Sequence, residues 1–319
     1  MNLTTIDYLD RTWNPLAMRC TRVSPACDNC WHLRMADRKA GNPKLSDQER
    51  QASAGLIPPV LMPDRIGEPL RLKKPQRIGV QFMGDLFHEA VEWNQLFAIF
   101  QVMGMAPQHQ FLVKTKRPER MAKELMGDLG LHLQRQDWCK KWPLPNVWAG
   151  VTIESQDYEH RGVELLQTPA AIRFVSVEPG LSVVDLQSYL YPYQVKIGDT
   201  LLGSKLNFVV VGGESGPHAR PLHPDIPRKL RDDCVAAGVP FWFKSWGEWF
   251  AYPDDYAGIN YADESTGETK GVWYKGGGRF TKNIEWSEDG KLIFARVGKK
   301  DAGRALDGRT WEEVPEVGG

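Results

Sequence analysis

Short apolar runs recur along the chain, and the stretches between them carry apolar residues at helical spacing. The runs are Arg77–Met83, Gln110–Thr115, Asn146–Thr152, Ile172–Val177, Leu206–Val211 and Pro240–Lys244, and a first strand is placed near Arg11–Leu16, just before the cysteine loop. Each is continuous rather than alternating, as in strands covered on both faces. Between them, Glu89–Met105 places Leu96, Phe97, Phe100 and Met103 on one face. Asp225–Ala237 does the same with Ile226, Leu230 and Val235 and ends at Gly238, a natural helix stop. About seven βα units follow from this alternation, and with them an α/β fold. A full or incomplete TIM-like parallel barrel is the most economical arrangement. An open doubly wound sheet is the alternative, but no G-x-G-x-x-G follows the first strand.

The rhythm breaks at Gly41–Lys74, read as an irregular excursion, and at Ser182–Ser204, read as an insertion or hairpin. From Phe250 the texture becomes that of antiparallel hairpins, with Asp289-Gly290 and Asp307-Gly308 as turns. The expected division is a barrel over 1–249 and a β-rich extension over 250–319. Polar residues follow nearly every run. Gly84-Asp85, His88, Lys116-Arg117, Glu154, Glu178, Glu214 and the residues after Lys244 would all stand on one rim of a parallel barrel, where active sites are built.

Composition narrows the function. The chain has 319 residues, with 40 Lys+Arg against 40 Asp+Glu, which argues against a broad basic face for non-specific duplex binding. It has no apolar stretch long enough for a membrane span and no secretory pattern at Met1, so a cytoplasmic protein is expected. Three of its 5 cysteines, Cys20, Cys27 and Cys30, form a C-x6-C-x2-C loop among Arg, Thr, Ser, Pro, Asp and Asn. That polar setting suits thiolates converging on a metal. On the residues alone, three readings stand open. They are an iron–sulfur cluster with one open iron, a structural zinc using His32 as fourth ligand, and three unligated thiols.

The segments WNPLAMRCTRVSPACDNCW, QFMGDLFHE, FLVKTKRPERM, GVTIE, FVSVEPGL, VVVGGESGPHARPLHPD, FWFKSWGEW and RVGKKDAGRALDGRTWEEVP resemble the phage Gp37/Gp68 family (DUF5131) over nearly the whole chain. Members are commonly phage-borne and look like radical S-adenosylmethionine (SAM) enzymes. The resemblance implies a [4Fe–4S] cluster on Cys20, Cys27 and Cys30, with SAM cleaved at the open iron to a 5′-deoxyadenosyl radical. The usual radical-SAM loop is C-x3-C-x2-C with an aromatic before the last cysteine. Here the first gap is longer, Asn29 takes the aromatic position and Trp31 follows it.

Roles follow by residue type. Gly84 would admit the SAM amino group and Asp85 accept from it. Lys116 or Arg117 would pair with the methionyl carboxylate, Glu154 with the ribose, and Trp31 with the adenine. Glu178 and Glu214 would face adenosine or substrate. His88 and Lys244 are further catalytic candidates, Lys244 for an anionic substrate group, and Trp246 is a candidate for base stacking. The expected substrate is a nucleobase in phage DNA, as in thymine hypermodification. Phosphate contacts would come from Arg220, Lys244 and the Arg296–Lys300 stretch, and electrons from a donor of the flavodoxin or ferredoxin type. The competing functions are photoproduct-lyase-like pyrimidine repair and a zinc-stapled nucleic-acid-binding module without turnover.

Overall fold

The computed structural model describes residues 1–197, 200–253, 260–262, 269–272, 284–287 and 292–316. Seven strands carry the fold, each close to a run read from the sequence. They are β1 (Arg11–Trp13), β2 (Arg77–Val80), β3 (Gln110–Thr115), β4 (Val147–Thr152), β5 (Ile172–Val177), β6 (Phe208–Gly212) and β7 (Phe241–Ser245). They pair in chain order, all parallel. A short antiparallel strand, Asn2–Leu3, completes an 8-stranded sheet beside β1. Among the described residues no ladder joins β7 back to β1, so the sheet is open.

The sheet is nevertheless curled into a partial β/α barrel. Arg77 at the start of β2 lies over the ring of Trp242 in β7, 6.0 Å from its centroid, with β3 to β6 between them in the sheet. Tyr8, just before β1, meets the same ring edge-on at 6.2 Å. The sheet therefore has an outer face under helices and a concave inner face. Outward residues such as Phe111, Val113, Val175, Val209 and Phe243 join the helices in the main core. Inward residues Leu112, Trp148, Phe174, Phe208, Val210 and Trp242 pack with Tyr8 and Leu9 in a second cluster. Gly150 makes room there, since a Cβ on it would lie 2.3 Å from the Phe174 ring.

The helix expected from Glu89 begins at Trp93, capped reciprocally by Glu92 and Gln95, because residues 85–91 are spent on turns. Asp225–Ala237 is helical as expected and stops at left-handed Gly238, but Val235 faces solvent and Cys234 takes its place in the core. The Gly41–Lys74 excursion is more ordered than expected. Ser46 caps a helix at Asp47–Ala54, and buried Glu49 binds Arg65 at 2.7 Å. Tyr193–Ile197 and Thr200–Ser204 form the expected hairpin.

After β7 comes an antiparallel sheet of Trp249–Pro253, Leu292–Arg296 and Ile284–Trp286. The Asp307-Gly308 turn is present, with φ of 50° and 82°, whereas Asp289-Gly290 lies outside the described residues. Residues 303–316 then return to the barrel. Phe243 N–H donates to Trp311 C=O at 3.0 Å and Glu313 N–H to Phe241 C=O at 3.2 Å, so this segment covers the free edge of β7.

Candidate functional site

The inner faces of the strands change character along their length. Side chains alternate with period two, so each apolar residue of the inner cluster is followed on the same face by the residue two further on. After Leu112 comes Lys114, after Phe174 come Ser176 and then Glu178, and after Trp242 comes Lys244. Above this polar layer opens a cavity with about 1120 Å³ between its walls, its mouth included.

Cys20, Cys27 and Cys30 all line this cavity. Their loop is built by a 3-10 turn at Pro25–Cys27 and by the helix Trp31–Ala40 that starts immediately after Cys30. Two cations stand against the thiols. Lys116 Nζ lies 3.6 Å from Cys27 Sγ, and Arg117 Nη1 lies 3.7 Å from Cys20 Sγ. Burial opposes ionisation of Cys27, yet Lys116 and hydrogen bonds at Val23 and Ser24 bring the thiol below its ordinary value. Burial and the charge of Asp85 push Cys20 up to about 12 in spite of Arg117.

Among the described residues no three His, Cys, Asp or Glu side chains converge as a single ion requires. Three thiols lining one cavity are the donor type an iron–sulfur cluster takes, one thiolate to each of three irons. The donor set thus fits the cluster implied by the resemblance. It fits zinc less well, because His32 Nε2 accepts from the Cys20 N–H at 3.3 Å.

The loop is tied to the far side of the barrel. Asn29, in the position of the usual aromatic, donates to Glu214 Oε2 at 3.1 Å and to His218 C=O at 2.7 Å. Arg220 grips both oxygens of Glu214, at 2.9 and 2.8 Å, and reaches Pro25 C=O at 3.1 Å. Glu214 lines the cavity, but it works as the anchor of this clamp, and Arg220 is committed to it rather than to phosphate. Burial opposes its ionisation, and Arg220 more than offsets that.

The residues read as SAM contacts divide. Gly84, Lys116 and Trp31 reach the wall, Trp31 with 46% of its surface exposed. A Cβ on Gly84, whose φ is +141°, would lie 2.5 Å from Met18 Sδ. Asp85 also lines the cavity, but its two oxygens are saturated by Thr115 Oγ1 (2.6 Å), Phe87 N–H (3.0 Å), Lys116 N–H (3.0 Å) and Arg117 (3.1 Å). Arg117 is equally engaged, with Glu89 at 2.7 Å and Thr21 Oγ1 at 2.6 Å. Glu154 is off the wall, fully buried and paired with Arg161 at 2.9 Å.

His88 is also off the wall. Its Nδ1 accepts from Ala90 N–H at 3.1 Å, which leaves Nε2 to bond Thr21 Oγ1 at 3.0 Å, so it buttresses the loop from behind. Trp246 is core: it packs edge-on against Phe243 at 4.9 Å and donates to Ala305 C=O. Arg296 is held by the Gly216 and Pro217 carbonyls, while Lys299 and Lys300 are exposed on a short helix.

Glu178 and Lys244 meet on the floor, together with three residues that sequence reasoning missed. Lys244 Nζ lies 2.7 Å from Glu178 Oε1, while Lys114 (3.4 Å), Ser176 (2.8 Å) and Tyr8 (3.0 Å) reach Oε2. A lysine inside an otherwise apolar run, two residues past Leu112, was the available signal for Lys114.

Among the described residues no helix is long and apolar enough to cross a membrane. No curated protein and no solved structure matches the chain. One family model does, over residues 3–315, and its description is "Protein of unknown function (DUF5131)". The chain belongs to the DUF5131 family.

Proposed function

We propose that this protein is a radical SAM enzyme that acts on a nucleobase in phage DNA, with electrons from a donor of the flavodoxin or ferredoxin type. The observation that carries the reading is the placement of three thiols from one loop on the wall of a deep cavity above the polar ends of parallel strands. An incomplete TIM-like barrel is part of the same proposal. Cys20, Cys27 and Cys30 would hold a [4Fe–4S] cluster, with SAM beside Gly84, Lys116 and Trp31. When bound, cluster and SAM supply hydrogen-atom abstraction from an unactivated carbon.

The chain's own residues do the rest. Lys116 favours the Cys27 thiolate, and Arg117 stabilises Cys20 as it gives up its proton. The Asn29–Glu214–Arg220 clamp and the His88–Thr21–Arg117 chain fix the loop from both sides. The aromatic plug beneath keeps bulk water from entering through the barrel. A zinc staple would need His32 to give up the Cys20 N–H bond, because with Nε2 accepting, the neutral ring carries its proton on the unpartnered Nδ1.

Anaerobic reconstitution tests the reading. About four irons per chain and broad absorption near 400 nm are expected, with 5′-deoxyadenosine formed from SAM and dithionite. Alanine at any of Cys20, Cys27 or Cys30 should abolish iron binding, while Cys139→Ala and Cys234→Ala should keep it. Stoichiometric zinc without colour would sink the proposal.

A further inference from the structure

The floor of the cavity carries more positive charge than its own residues neutralise. Glu178 faces both cations: Lys244 Nζ stands 2.7 Å from one oxygen as an ion pair, and Lys114, Ser176 and Tyr8 hydrogen-bond the other. One carboxylate thus serves two ammonium groups. Among the described residues neither lysine has a second carboxylate partner. The other acids of the cavity are spoken for, Asp85 by Arg117 and Glu214 by Arg220.

Each ammonium has three N–H donors. Lys114 uses two, on Ser176 (3.1 Å) and Glu178, while Lys244 pairs with Glu178 by charge, 2.7 Å away, without the geometry of a hydrogen bond. Both side chains line the cavity, and both are about four-fifths buried, with side-chain exposures of 20% and 22%. A partly desolvated charge without a partner is costly. The rigid carboxylate between the two lysines fixes their spacing before any ligand arrives, which lowers the ordering cost of binding.

We propose that the cavity floor is an oxyanion subsite, in which Lys114 and Lys244 together bind a carboxylate or phosphate group of the substrate. Glu178 is then a positioning residue, because the one carboxylate between the two ammonium groups sets their spacing. The inference rests on the proposed function only in taking the bound group to be part of the substrate. It requires that substrate to be anionic at its deepest point.

The test is calorimetric titration of the full chain with inorganic phosphate and, separately, with acetate. Wild type and Lys123→Met, altered on an exposed helical face, should bind at least one of the two alike. Lys114→Met and Lys244→Met should each bind about tenfold more weakly or worse, as expected for loss of a charge-assisted hydrogen bond. Preference for phosphate would assign a phosphoryl group, and preference for acetate a carboxylate.

A second measurement needs no variant. Saturating phosphate or acetate should protect Lys114 and Lys244 of the wild-type protein from reductive methylation, read by peptide mass spectrometry, and leave Lys123 unprotected. No binding by the wild type, equal affinity in all three variants, or unprotected floor lysines would overturn the proposal. None of these measurements needs iron or SAM. Intact oxyanion binding without SAM cleavage would therefore refute the radical-SAM reading alone, and the reverse result would refute the subsite alone.

Discussion

Burial alone would raise the proton affinity of Glu178, but Lys244 and Lys114 hold its carboxyl well below the usual carboxylate range. In the unfolded chain the same group protonates near pH 4.3. The stability it contributes is therefore complete above that pH and drains away as the pH falls below it, where only the unfolded state takes up the proton. Glu178→Gln should cost about 3–5 kcal/mol near neutral pH, since it strands two lysines. The gap from wild type should narrow by about 1.4 kcal/mol per unit below pH 4. Urea unfolding at several pH values checks this, and a gap that does not vary with pH would mean that Glu178 is not ionised in the fold. Glu154→Ala should likewise lose about 3–5 kcal/mol by stranding Arg161, while iron bound per folded chain stays unchanged. This differs from the ribose role suggested by its place after β4, because a carboxylate can follow a strand and still turn inward to an arginine. Sequence position pointed to the three cysteines, set in a polar loop, and to Lys244, at the end of an apolar run. It could not reveal that Asp85 and Arg117 satisfy each other, because that pairing depends on how the ends of β2 and β3 meet in space.

The turns after β6 and β7 are pressed together at the level of single elements. A Cβ on Gly213 would lie 1.9 Å from the Trp246 carbonyl oxygen, which is backbone and has nowhere to go. Gly213→Ala should therefore destabilise by about 1–3 kcal/mol or more and loosen the turn that carries Glu214. Thermal melting should show the loss, and faster proteolysis within Cys20–Cys30 should show the loosened clamp. An alanine tolerated without change in either would contradict this close approach. Six of the seven parallel strands were legible because each is a compact apolar run, and the helix at Asp225–Ala237 because its period and glycine stop agree. The helix at Asp47–Ala54 was not, since its sequence is mostly polar and its buried face rests on Glu49. Its signal was local: Ser46 followed three residues later by Glu49, the spacing of a capping box.

At the scale of the whole molecule, the open sheet leaves a gap between β7 and β1, and segments far apart in the sequence cover it. The segment around Tyr8 fills the inner side of the gap, and residues 303–316 lie along β7. Arg304 links the two regions, 3.7 Å from Asp7 and over the Trp242 ring. A chain ending at Ala302 would bare the edge of β7 together with Trp242, a template for pairing with other chains. It should melt at lower temperature and elute as aggregates in size-exclusion chromatography; a monomeric profile with unchanged melting would show the segment to be dispensable. The same closure has a consequence for biosynthesis. Tyr8 must find partners just past β5 and on β7, and β7 must find residues made still later, so the contacts that complete the cavity are among the longest-range of the described residues. Such contacts form late. On the ribosome, the cysteine loop is made 185 residues before Glu214 and waits that long before the Glu214–Arg220 clamp can hold it. Any metal centre on those thiols would therefore be installed after synthesis, into a nearly finished barrel, and the exposed loop of the nascent chain would be open to oxidation until then.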